Sequence, residues 1–425
     1  MAEQLITQLE SSLLDFRIGY DLKTIVTSFP KNGKTYVNIA GKLSKPYDEI
    51  GQNSIVFSPE NHVAFIAVKN GKQFIVLGDL EQRKYDGVWY PVFSPNSKRM
   101  GYIAIKKNKQ FIVLDGQENR YYDFIGQGIP QFPVFSADSQ HIGYAAKSGK
   151  SLFVVIDDKE SDPYDNIGQG SPIFSPDSNR VAYQAKKNKF LGEEAYMVID
   201  GVEHKHYDGI AHETLFSPDS QQVIYTARKG KNWFTVINGQ EGKLYDWMGA
   251  LTVSPNSKRL AYVAGIGKKS VIFLDQSESK FYEGYQNLTF SPDSQHFAFR
   301  AQKGSNFIVV LDGNEGKQYN ALGGLSFSPD STSLAFVAQR EGKEFVVVDG
   351  KESKPYDATR KDITYSPDGK HIAYTVKVQS HQLVVVGGIE GKLYDEIPSR
   401  IKANQNNFQY IARTGNNVYF VEEAF

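Results

Sequence analysis

Motifs that would arrange side chains for catalysis are few in this sequence of 425 residues. Cysteine is absent, which excludes disulfides, thiolate metal ligands and a cysteine nucleophile. No G-x-S-x-G nucleophile motif occurs. The segment 264–270 superficially resembles a phosphate loop, but its Gly-Lys pair is followed by Lys269, where that loop requires Ser or Thr. We therefore expect no cofactor, and we expect that the protein is not an enzyme.

The eight histidines are scattered, and only His204, His206 and His212 are clustered along the sequence. A predicted short strand separates the first two from the third, so we expect exposed loop histidines and no metal site. An aspartate also recurs in a repeated Ser-Pro-Asp-Ser turn. One carboxylate per turn is too few for calcium, which needs six to eight oxygen ligands, so these aspartates are predicted to cap their turns.

Lysine recurs in one kind of turn, which is the second turn of each repeat and is called the B–C turn below. A polyanion or nucleic acid could bind such a basic surface, although Lys+Arg and Asp+Glu both number 48 and the net charge is zero. The favoured alternative is that the aspartates of a repeated Tyr-Asp pair neutralise these lysines. The weak anion-binding candidates are Lys69, Lys107, Lys150, Lys187, Lys229, Lys268 and Lys343.

The element that must position all these side chains is a repeat marked by Phe-Ser-Pro-Asp-Ser. The motif is intact at 174–178, 216–220, 290–294 and 327–331, and variants begin at Phe57, Phe93, Phe135, Val253 and Tyr365. These nine copies are spaced 36 to 42 residues apart. A period of this length indicates repeated supersecondary units.

Each repeat predicts four short antiparallel strands. In the unit 324–357, apolar residues alternate along strand A (325–327) and strand B (334–338). An apolar β-branched run predicts strand C (345–348), and strand D is placed at 354–357. Ser-Pro-Asp-Ser forms the A–B turn and Asp-Gly at 349–350 the C–D turn. Four strands in fewer than 40 residues are typical of propeller blades, so the predicted fold class is an all-β propeller.

The repeat resembles the TolB-type, WD-repeat-like propeller blade, since Phe-Ser-Pro-Asp-Ser is followed by strands such as Arg-Val-Ala-Tyr at 180–183 and Arg-Leu-Ala-Tyr at 259–262. The resemblance covers nearly the whole chain and implies a propeller with a binding role. It departs from the true WD repeat at strand C, where Val-Asp-Gly stands in place of Trp-Asp. It implies no particular ligand, because propellers host binding modules, enzymes and gating domains alike.

The two ends of the chain together complete the repeat count. The final unit, 396–425, has no strand D, while 5–10 lies in register as a strand D. The prediction is therefore one domain over 1–425, with ten complete blades at 14–395 and an eleventh closed by the N-terminal strand within 1–13. Two alternatives stay open, an amphipathic capping helix at the N-terminus and two smaller propellers in tandem.

The D–A loops, each of which joins strand D of one blade to strand A of the next, differ most between repeats. Aromatic residues and arginine are common anchors of protein interfaces, so these loops are the candidate binding surface. For Trp89 and Trp247 the alternative is that they fill gaps between blades. The candidates for partner binding are Trp89, Tyr90, Gln127, Gln169, His212, Trp247, Met248, Tyr285, Gln286 and Arg360.

We expect a non-catalytic propeller scaffold that binds a protein or peptide partner through its B–C and D–A loop face or through a central tunnel. The alternatives are polyanion binding through the lysines, and an enzyme or enzyme-gating propeller with a site in the tunnel mouth. No signal-peptide pattern and no apolar run of the roughly 18 residues of a membrane span occur, so a cytoplasmic protein is expected. A secreted chain lacking its signal would have the same pattern.

Overall fold

The computed structural model describes residues 1–10, 12–126, 133–189, 192–275 and 277–425. Within these ranges every regular element is a β-strand, and the strands form eleven antiparallel sheets. Each sheet contains the strands A, B, C and D in that spatial order. The expected fold class, an all-β propeller of eleven four-stranded blades, is confirmed.

Strand A is the most variable strand of the blade. It is split into two short parts in blades 2, 4 and 5, and a register shift interrupts it in blades 3 and 6 to 10. In order of blades 1 to 11, strand A is β2 (Asp15–Ile18), β6 (Glu49–Ile50) with β7 (Val56–Phe57), β11 (Gly87–Phe93), β15 (Phe124–Ile125) with β16 (Val134–Phe135), β20 (Asn166–Ile167) with β21 (Ile173–Phe174), β25 (Gly209–Phe216), β29 (Trp247–Val253), β33 (Gly284–Phe290), β37 (Ala321–Phe327), β41 (Ala358–Tyr365) and β45 (Lys402–Ala403).

Strands B and C form the buried hairpin at the centre of each blade, because both carry continuous Val, Ile, Ala and aromatic runs. Strand B is β3 (Ile25–Lys31), β8 (Val63–Lys69), β12 (Met100–Lys106), β17 (Ile142–Ser148), β22 (Val181–Lys189), β26 (Val223–Lys229), β30 (Leu260–Ile266), β34 (Phe297–Lys303), β38 (Leu334–Arg340), β42 (Ile372–Val378) and β46 (Asn407–Thr414). Strand C is β4 (Lys34–Ile39), β9 (Lys72–Leu77), β13 (Lys109–Leu114), β18 (Ser151–Ile156), β23 (Gly192–Ile199), β27 (Asn232–Ile237), β31 (Lys269–Leu274), β35 (Asn306–Leu311), β39 (Lys343–Val348), β43 (His381–Val386) and β47 (Asn417–Ala424).

Strand D begins earlier than the sequence predicts. In blade 9 the positive φ angles of Asp349 and Gly350 reverse the chain at once, so pairing starts at Lys351 rather than at 354, and Tyr356 returns to strand C as an isolated bridge to Glu344. Strand D of blades 1 to 10 is β5 (Lys42–Leu43), β10 (Leu80–Glu81), β14 (Gln117–Glu118), β19 (Lys159–Glu160), β24 (Val202–Glu203), β28 (Gln240–Glu241), β32 (Ser277–Glu278), β36 (Asn314–Tyr319), β40 (Lys351–Glu352) and β44 (Ile389–Glu390).

The N-terminal segment is the strand D of blade 11. Strand β1 (Ala2–Gln8) pairs antiparallel with β47, from Ala2 opposite Glu422 to Gln8 opposite Asn417. Glu3 is at the position of the strand-D glutamates of other blades, and its Oε2 forms an ion pair with Nζ of Lys392 at 2.8 Å. The closing strand is confirmed, and the capping-helix alternative is wrong.

The described chain forms two compact units. Residues 12–244 hold blades 1 to 6, and residues 245–425 together with β1 hold blades 7 to 11. A single domain over the whole chain stays a prediction.

Within each compact unit, the tyrosine of the Tyr-Asp pair packs against the blade that follows it. In blade 8, Tyr319 packs edge-on against Phe336 of blade 9, with ring centroids 6.1 Å apart. Its hydroxyl donates to Oε1 of Glu352 at 2.9 Å, and desolvation raises the pKa of Tyr319 to about 12. The buried tyrosines at this position are Tyr47, Tyr85, Tyr122, Tyr164, Tyr207, Tyr245, Tyr282, Tyr319, Tyr356 and Tyr394.

The Ser-Pro-Asp-Ser motif closes its own turn and also links neighbouring blades. Ser175 Oγ donates to Oδ1 of Asp177 at 2.5 Å, which caps the turn as predicted and helps hold the pKa of Asp177 at about 2. Ser178 adopts a φ of 65° and is buried. Its Oγ accepts the backbone N–H of Asp138, in the preceding blade, at 3.0 Å. The last serine of the motif is therefore a link between blades as well as a turn residue.

Candidate partner-binding surface

The histidines considered for metal binding are not brought together in the described structure. Nδ1 of His206 lies 2.6 Å from Oε2 of Glu194, and its ring stacks on Tyr196. His212 lies in β25, and its side chain is outside the described part of the structure. Within the described ranges, no group of three or more histidine and carboxylate side chains is arranged to hold a metal ion.

The loop at 264–270 is the hairpin between β30 and β31, with Ile266 opposite Lys269. A phosphate loop requires a strand, a glycine-rich loop and then a helix, whose N-terminus faces the phosphates. The second element here is a strand, so this segment is not a phosphate loop. That the protein is not an enzyme stays a prediction.

The aspartate of the Tyr-Asp pair binds both a lysine and a turn. Oδ1 of Asp86 lies 2.6 Å from Nζ of Lys72 in its own blade, while Oδ2 accepts the N–H of Lys107 in the B–C turn of the next blade at 2.9 Å. These contacts hold the pKa of Asp86 below its ordinary value, with the Lys72 bond the larger cause. The same pattern recurs at Asp48, Asp123 and Asp357.

The seven anion-binding candidates divide into two groups. Lys187 pairs with Glu203 at 2.8 Å, Lys229 with Glu241 at 3.9 Å and Lys343 with Asp357 at 2.5 Å. In the described part of the chain, four have no ion-pair partner, Lys69, Lys107, Lys150 and Lys268. The lysine-rich turns are thus partly neutralised, but only Lys343 pairs with an aspartate of the Tyr-Asp pair as the favoured alternative predicted, whereas Lys187 and Lys229 pair with glutamates of strand D.

Trp89 and Tyr90 are the exposed aromatic pair among the D–A candidates. They lie in β11 at the register shift between Trp89 and Val92, where the strand bulges. Trp89 is 41% exposed and Tyr90 is 49% exposed. Tyr90 also has a φ of 51°, in the left-handed region that costs a residue with a side chain about 1–2 kcal/mol. A strained backbone that presents two aromatic rings to solvent is a recurrent feature of binding sites.

A groove of about 700 Å³ lies along strands A of blades 1 to 4. Pro91 and Phe93, which continue the strand from Tyr90, form part of its wall together with Phe57 and Phe135. Arg17 contributes the charged group of the lining, and its guanidinium is held by Asp15 at 3.0 Å and by Oδ1 of Asn53 at 2.6 Å. The lining of the groove thus combines apolar side chains with one fixed cation.

Trp247 and Tyr285 lie in the packing between blades 7 and 8. Their rings stack with centroids 6.2 Å apart and an interplanar angle of 15°, and both pack against the buried cluster that includes Phe299. Two glycines make the space, because a Cβ on Gly265 would lie 1.8 Å from the indole of Trp247 and a Cβ on Gly249 would lie 2.2 Å from the hydroxyl of Tyr285. Trp247 therefore fills a gap between blades, as the alternative predicted, whereas Trp89 is exposed. Met248, beside Trp247, is half-buried.

The polar candidates have different roles. Gln169 is exposed in the loop between β20 and β21, and Gln127 lies outside the described residues. Arg360 of blade 10 donates from Nη1 to the carbonyl oxygens of Ile397 at 2.6 Å and Ser399 at 2.7 Å, both in the segment that leads to strand A of blade 11. Gln286 accepts a hydrogen bond from Arg300.

Arg300 is a residue that the sequence analysis missed. It lies in the middle of β34 and donates to the carbonyl oxygens of Leu322 and Gly323 in blade 9, the second at 2.8 Å. The sequence contains a signal for this residue, because alignment of the repeats places Arg300 where blades 7 and 9 have Val263 and Val337 in strand B. A charged residue in the central strand of a blade is a departure that the repeat itself reveals.

No described helix is long and apolar enough to span a membrane. No family model matches the sequence, and no curated protein matches it. The expectation of a propeller is confirmed by the fold, and membership of the TolB-type family stays a prediction.

Solved structures similar to the chain include a eukaryotic initiation factor, at 11% identity and a TM-score of 0.44 over 84% of this chain and 97% of that one. The Dos1 propeller is similar at 11% identity and a TM-score of 0.35, over 67% and 90% of the two chains. TolB from Acinetobacter baumannii is similar at 12% identity and a TM-score of 0.26, over 67% and 79%. At these values the similarities carry no argument about function.

Proposed function

We propose that this protein is a non-catalytic propeller scaffold that binds a protein or peptide partner through its strands A and the loops that precede them. The observation that supports this most directly is the exposed pair Trp89 and Tyr90. Tryptophan and tyrosine dominate the binding energy of protein interfaces, because each buries a large rigid surface at low entropic cost.

Two further features support a peptide-like ligand. The groove beside this pair is lined by proline, phenylalanine and valine side chains, and apolar grooves with a few polar groups are the usual docking sites of extended chains. Tyr90 also holds a strained backbone conformation, and such strain is typically kept where a side chain must be presented to a ligand.

A selection from a phage-displayed library of random dodecapeptides on the immobilised full-length chain tests the proposal. We expect enriched peptides that bind the parent chain and lose affinity by about tenfold or more on the Trp89→Ala/Tyr90→Ala variant. The matched control is Leu80→Ala/Val202→Ala, which removes two side chains exposed at 68% and 61% on strands D. No enrichment, or equal loss on the control variant, would contradict the proposal.

Polyanion binding through the B–C turns is the second candidate, and the observation in its favour is that four of the lysines have no ion-pair partner among the described residues. It is the weaker candidate because Lys187, Lys229 and Lys343 already have carboxylate partners. Retention on heparin at low salt would support it, provided that the retention falls in a Lys107→Gln/Lys150→Gln/Lys268→Gln variant. Passage of the parent chain through the column without delay would exclude it.

A further inference from the structure

The first residue of the C–D turn differs between blades. In blades 2 to 10 its φ angle is positive, a conformation that glycine, asparagine and aspartate adopt more readily than other residues. Blade 6 has Asn238 at this position, and blades 2 and 10 have glycine, Gly78 and Gly387. The other six blades of this range have aspartate, namely Asp115, Asp157, Asp200, Asp275, Asp312 and Asp349.

The aspartate at this position binds the residue that precedes strand B of its own blade. In blade 4, Oδ2 of Asp157 lies 2.6 Å from Nδ1 of His141. The corresponding contact is made in five further blades by Asp115, Asp200, Asp275, Asp312 and Asp349. Blades 2 and 10 also have a histidine before strand B, His62 and His371, but glycine in place of the aspartate. Among the described residues, the imidazole of His62 has neither a hydrogen-bond partner nor an ion-pair partner.

A cavity lies beside each of these two glycines. The first cavity, at Gly78 between blades 2 and 3, has a volume of about 650 Å³, and the second cavity, at Gly387 between blades 10 and 11, about 580 Å³. Each lies within one compact unit. A Cβ on either glycine would have no atom within 4 Å. Six lining positions correspond in the two cavities, His62 with His371, Leu77 with Val386, Gly78 with Gly387, Gln82 with Gly391, Asp115 with Glu423, and Gly116 with Ala424.

The second cavity shows which kind of group fits over the histidine. The ring of Phe425 stacks on His371 with centroids 4.4 Å apart and an interplanar angle of 25°, and its centroid lies 5.0 Å from that of Phe408. The corresponding residues of the first cavity are His62 and Met100, and both line it. A thioether packs favourably against an aromatic ring. An aromatic group between His62 and Met100 would therefore repeat the contacts that Phe425 makes.

The first cavity combines apolar side chains with one unpaired cation. Its apolar side chains are those of Val63, Leu77, Phe93 and Met100. Arg99 and Asp115 also line it, but they bind each other at 2.9 Å and their charges cancel. Lys98 lines the same cavity, is exposed, and has no carboxylate at ion-pair distance in the described part of the chain. The cavity therefore complements a ligand that has an apolar part and one negative charge.

We infer that the first cavity binds an aromatic carboxylate, whose ring stacks on His62 and whose carboxylate pairs with Lys98. The volume of the cavity falls in the range of about 300–1,000 Å³ that is usual for small-molecule sites. The inference goes beyond the proposed function, because the A–B and C–D turns form this site and its lining includes neither Trp89 nor Tyr90.

Titration of 3-phenylpropionate into the full chain, followed by saturation-transfer-difference NMR, tests the inference. We expect saturable binding, and an affinity lower by about tenfold or more for 3-phenylpropionamide, which lacks the charge. Lys98→Gln should lower the affinity for 3-phenylpropionate and leave that for the amide unchanged, because the lysine acts on the carboxylate alone.

A second variant places a carboxylate in the cavity. Gly78→Asp gives blade 2 the residue that six other blades have at this position, so we expect the fold to be kept. The new carboxylate would bind His62 and repel the ligand, and the affinity for 3-phenylpropionate should fall by about tenfold or more. Gly78→Asn, which matches Asn238 of blade 6, adds similar volume without charge and should give a smaller loss. The matched control is Gly387→Asp, which makes the same change at the second cavity and should leave binding unchanged.

The peptide N-acetyl-Gly-Gly-Phe, which ends in a free carboxylate, distinguishes the two sources of such a ligand. Tighter binding of this peptide than of 3-phenylpropionate would identify the C-terminus of a polypeptide, and tighter binding of 3-phenylpropionate would identify a free acid. Absence of saturable binding of both compounds, or an equal loss in Gly387→Asp, would overturn the inference. Loss of binding in the Trp89→Ala/Tyr90→Ala variant would also overturn it, because the ligand would then lie at the proposed partner-binding surface.

Discussion

Blades 3 and 7 both carry a tryptophan on strand A, and the two side chains have opposite surroundings. Trp89 is 41% exposed at a bulge, next to the strained Tyr90. Trp247 is half-buried, stacks on Tyr285 and contacts the core between blades 7 and 8. One residue type on strand A thus serves as surface in one blade and as packing in the other.

The difference comes from the residue across the strand. In blade 7, Trp247 is opposite Gly265, and in blade 3 the corresponding pair is Gly87 opposite Ile105. In blade 7 the large side chain is on strand A and the glycine on strand B, and in blade 3 the order is reversed. Each pair therefore places one large side chain in the space between the two strands. Trp89 stands two residues further along the strand, opposite Ile103, whose own side chain is buried. The partner across the strand therefore decides whether an aromatic side chain in this loop is available to a ligand.

The largest expected effect is that of removing the packed tryptophan. Trp247→Ala deletes a stacked, half-buried indole and leaves a cavity, so we expect the free energy of unfolding to fall by about 2–4 kcal/mol. Thermal and urea denaturation followed by circular dichroism would measure it. An unchanged transition would contradict the role of Trp247 in packing.

A somewhat smaller loss is expected when the space for that indole is filled. Gly265→Ile would force Trp247 out of its site, at a cost of about 1–3 kcal/mol. The double variant Trp247→Gly/Gly265→Ile restores the arrangement of blade 3, and we expect it to recover part of the stability lost by Gly265→Ile alone. Strictly additive losses in this double-mutant cycle would refute the idea that the pair shares one space.

A stabilisation is expected at the strained residue. Tyr90→Asn should raise the free energy of unfolding by about 1 kcal/mol, because asparagine tolerates the left-handed region better than tyrosine does. The chain offers its own precedent, since Asn287 has a φ of 52° at the corresponding position of blade 8. A lower melting temperature for Tyr90→Asn would show that the ring of Tyr90 contributes to folding rather than to binding.

The smallest effect on stability is expected at the exposed tryptophan. Trp89→Ala should change the free energy of unfolding by no more than about 0.5 kcal/mol, as is usual for surface substitutions. The indole should also be quenched by acrylamide more strongly than that of Trp247, in variants where the other tryptophans are replaced by phenylalanine. Equal quenching of Trp89 and Trp247 would contradict the difference in exposure between the two side chains.

Much of the architecture followed from the sequence because it depends on local pattern. The spacing of Phe-Ser-Pro-Asp-Ser predicted nine of the eleven blades. The repeat frame at 5–10 predicted that an N-terminal strand completes the last blade, but that strand lies at Ala2–Gln8, slightly earlier than predicted. Strand D begins earlier than predicted, because the Asp-Gly turn reverses the chain within two residues and pairing starts directly after it.

The candidate site could be predicted only in part, because it depends on contacts between strands and between blades. The aromatic loops were identified, but the distinction between Trp89 and Trp247 required the identity of the opposite residue. Arg300 was missed because it belongs to strand B, and its guanidinium reaches the strand A of the next blade. The hydrogen bond from Asp138 to Ser178 likewise depends on how two blades are aligned, which a single repeat does not reveal.

The pairing of β1 with β47 has a consequence for biosynthesis. Gln8 and Asn417, which are hydrogen-bonded to each other, are 409 residues apart in the chain. At typical rates of translation, β1 leaves the ribosome about 20–80 s before its partner strand exists. During that time β1 has no partner strand and must not pair with other strands. Its glutamate and glutamine side chains help to prevent such pairing by keeping the strand hydrated.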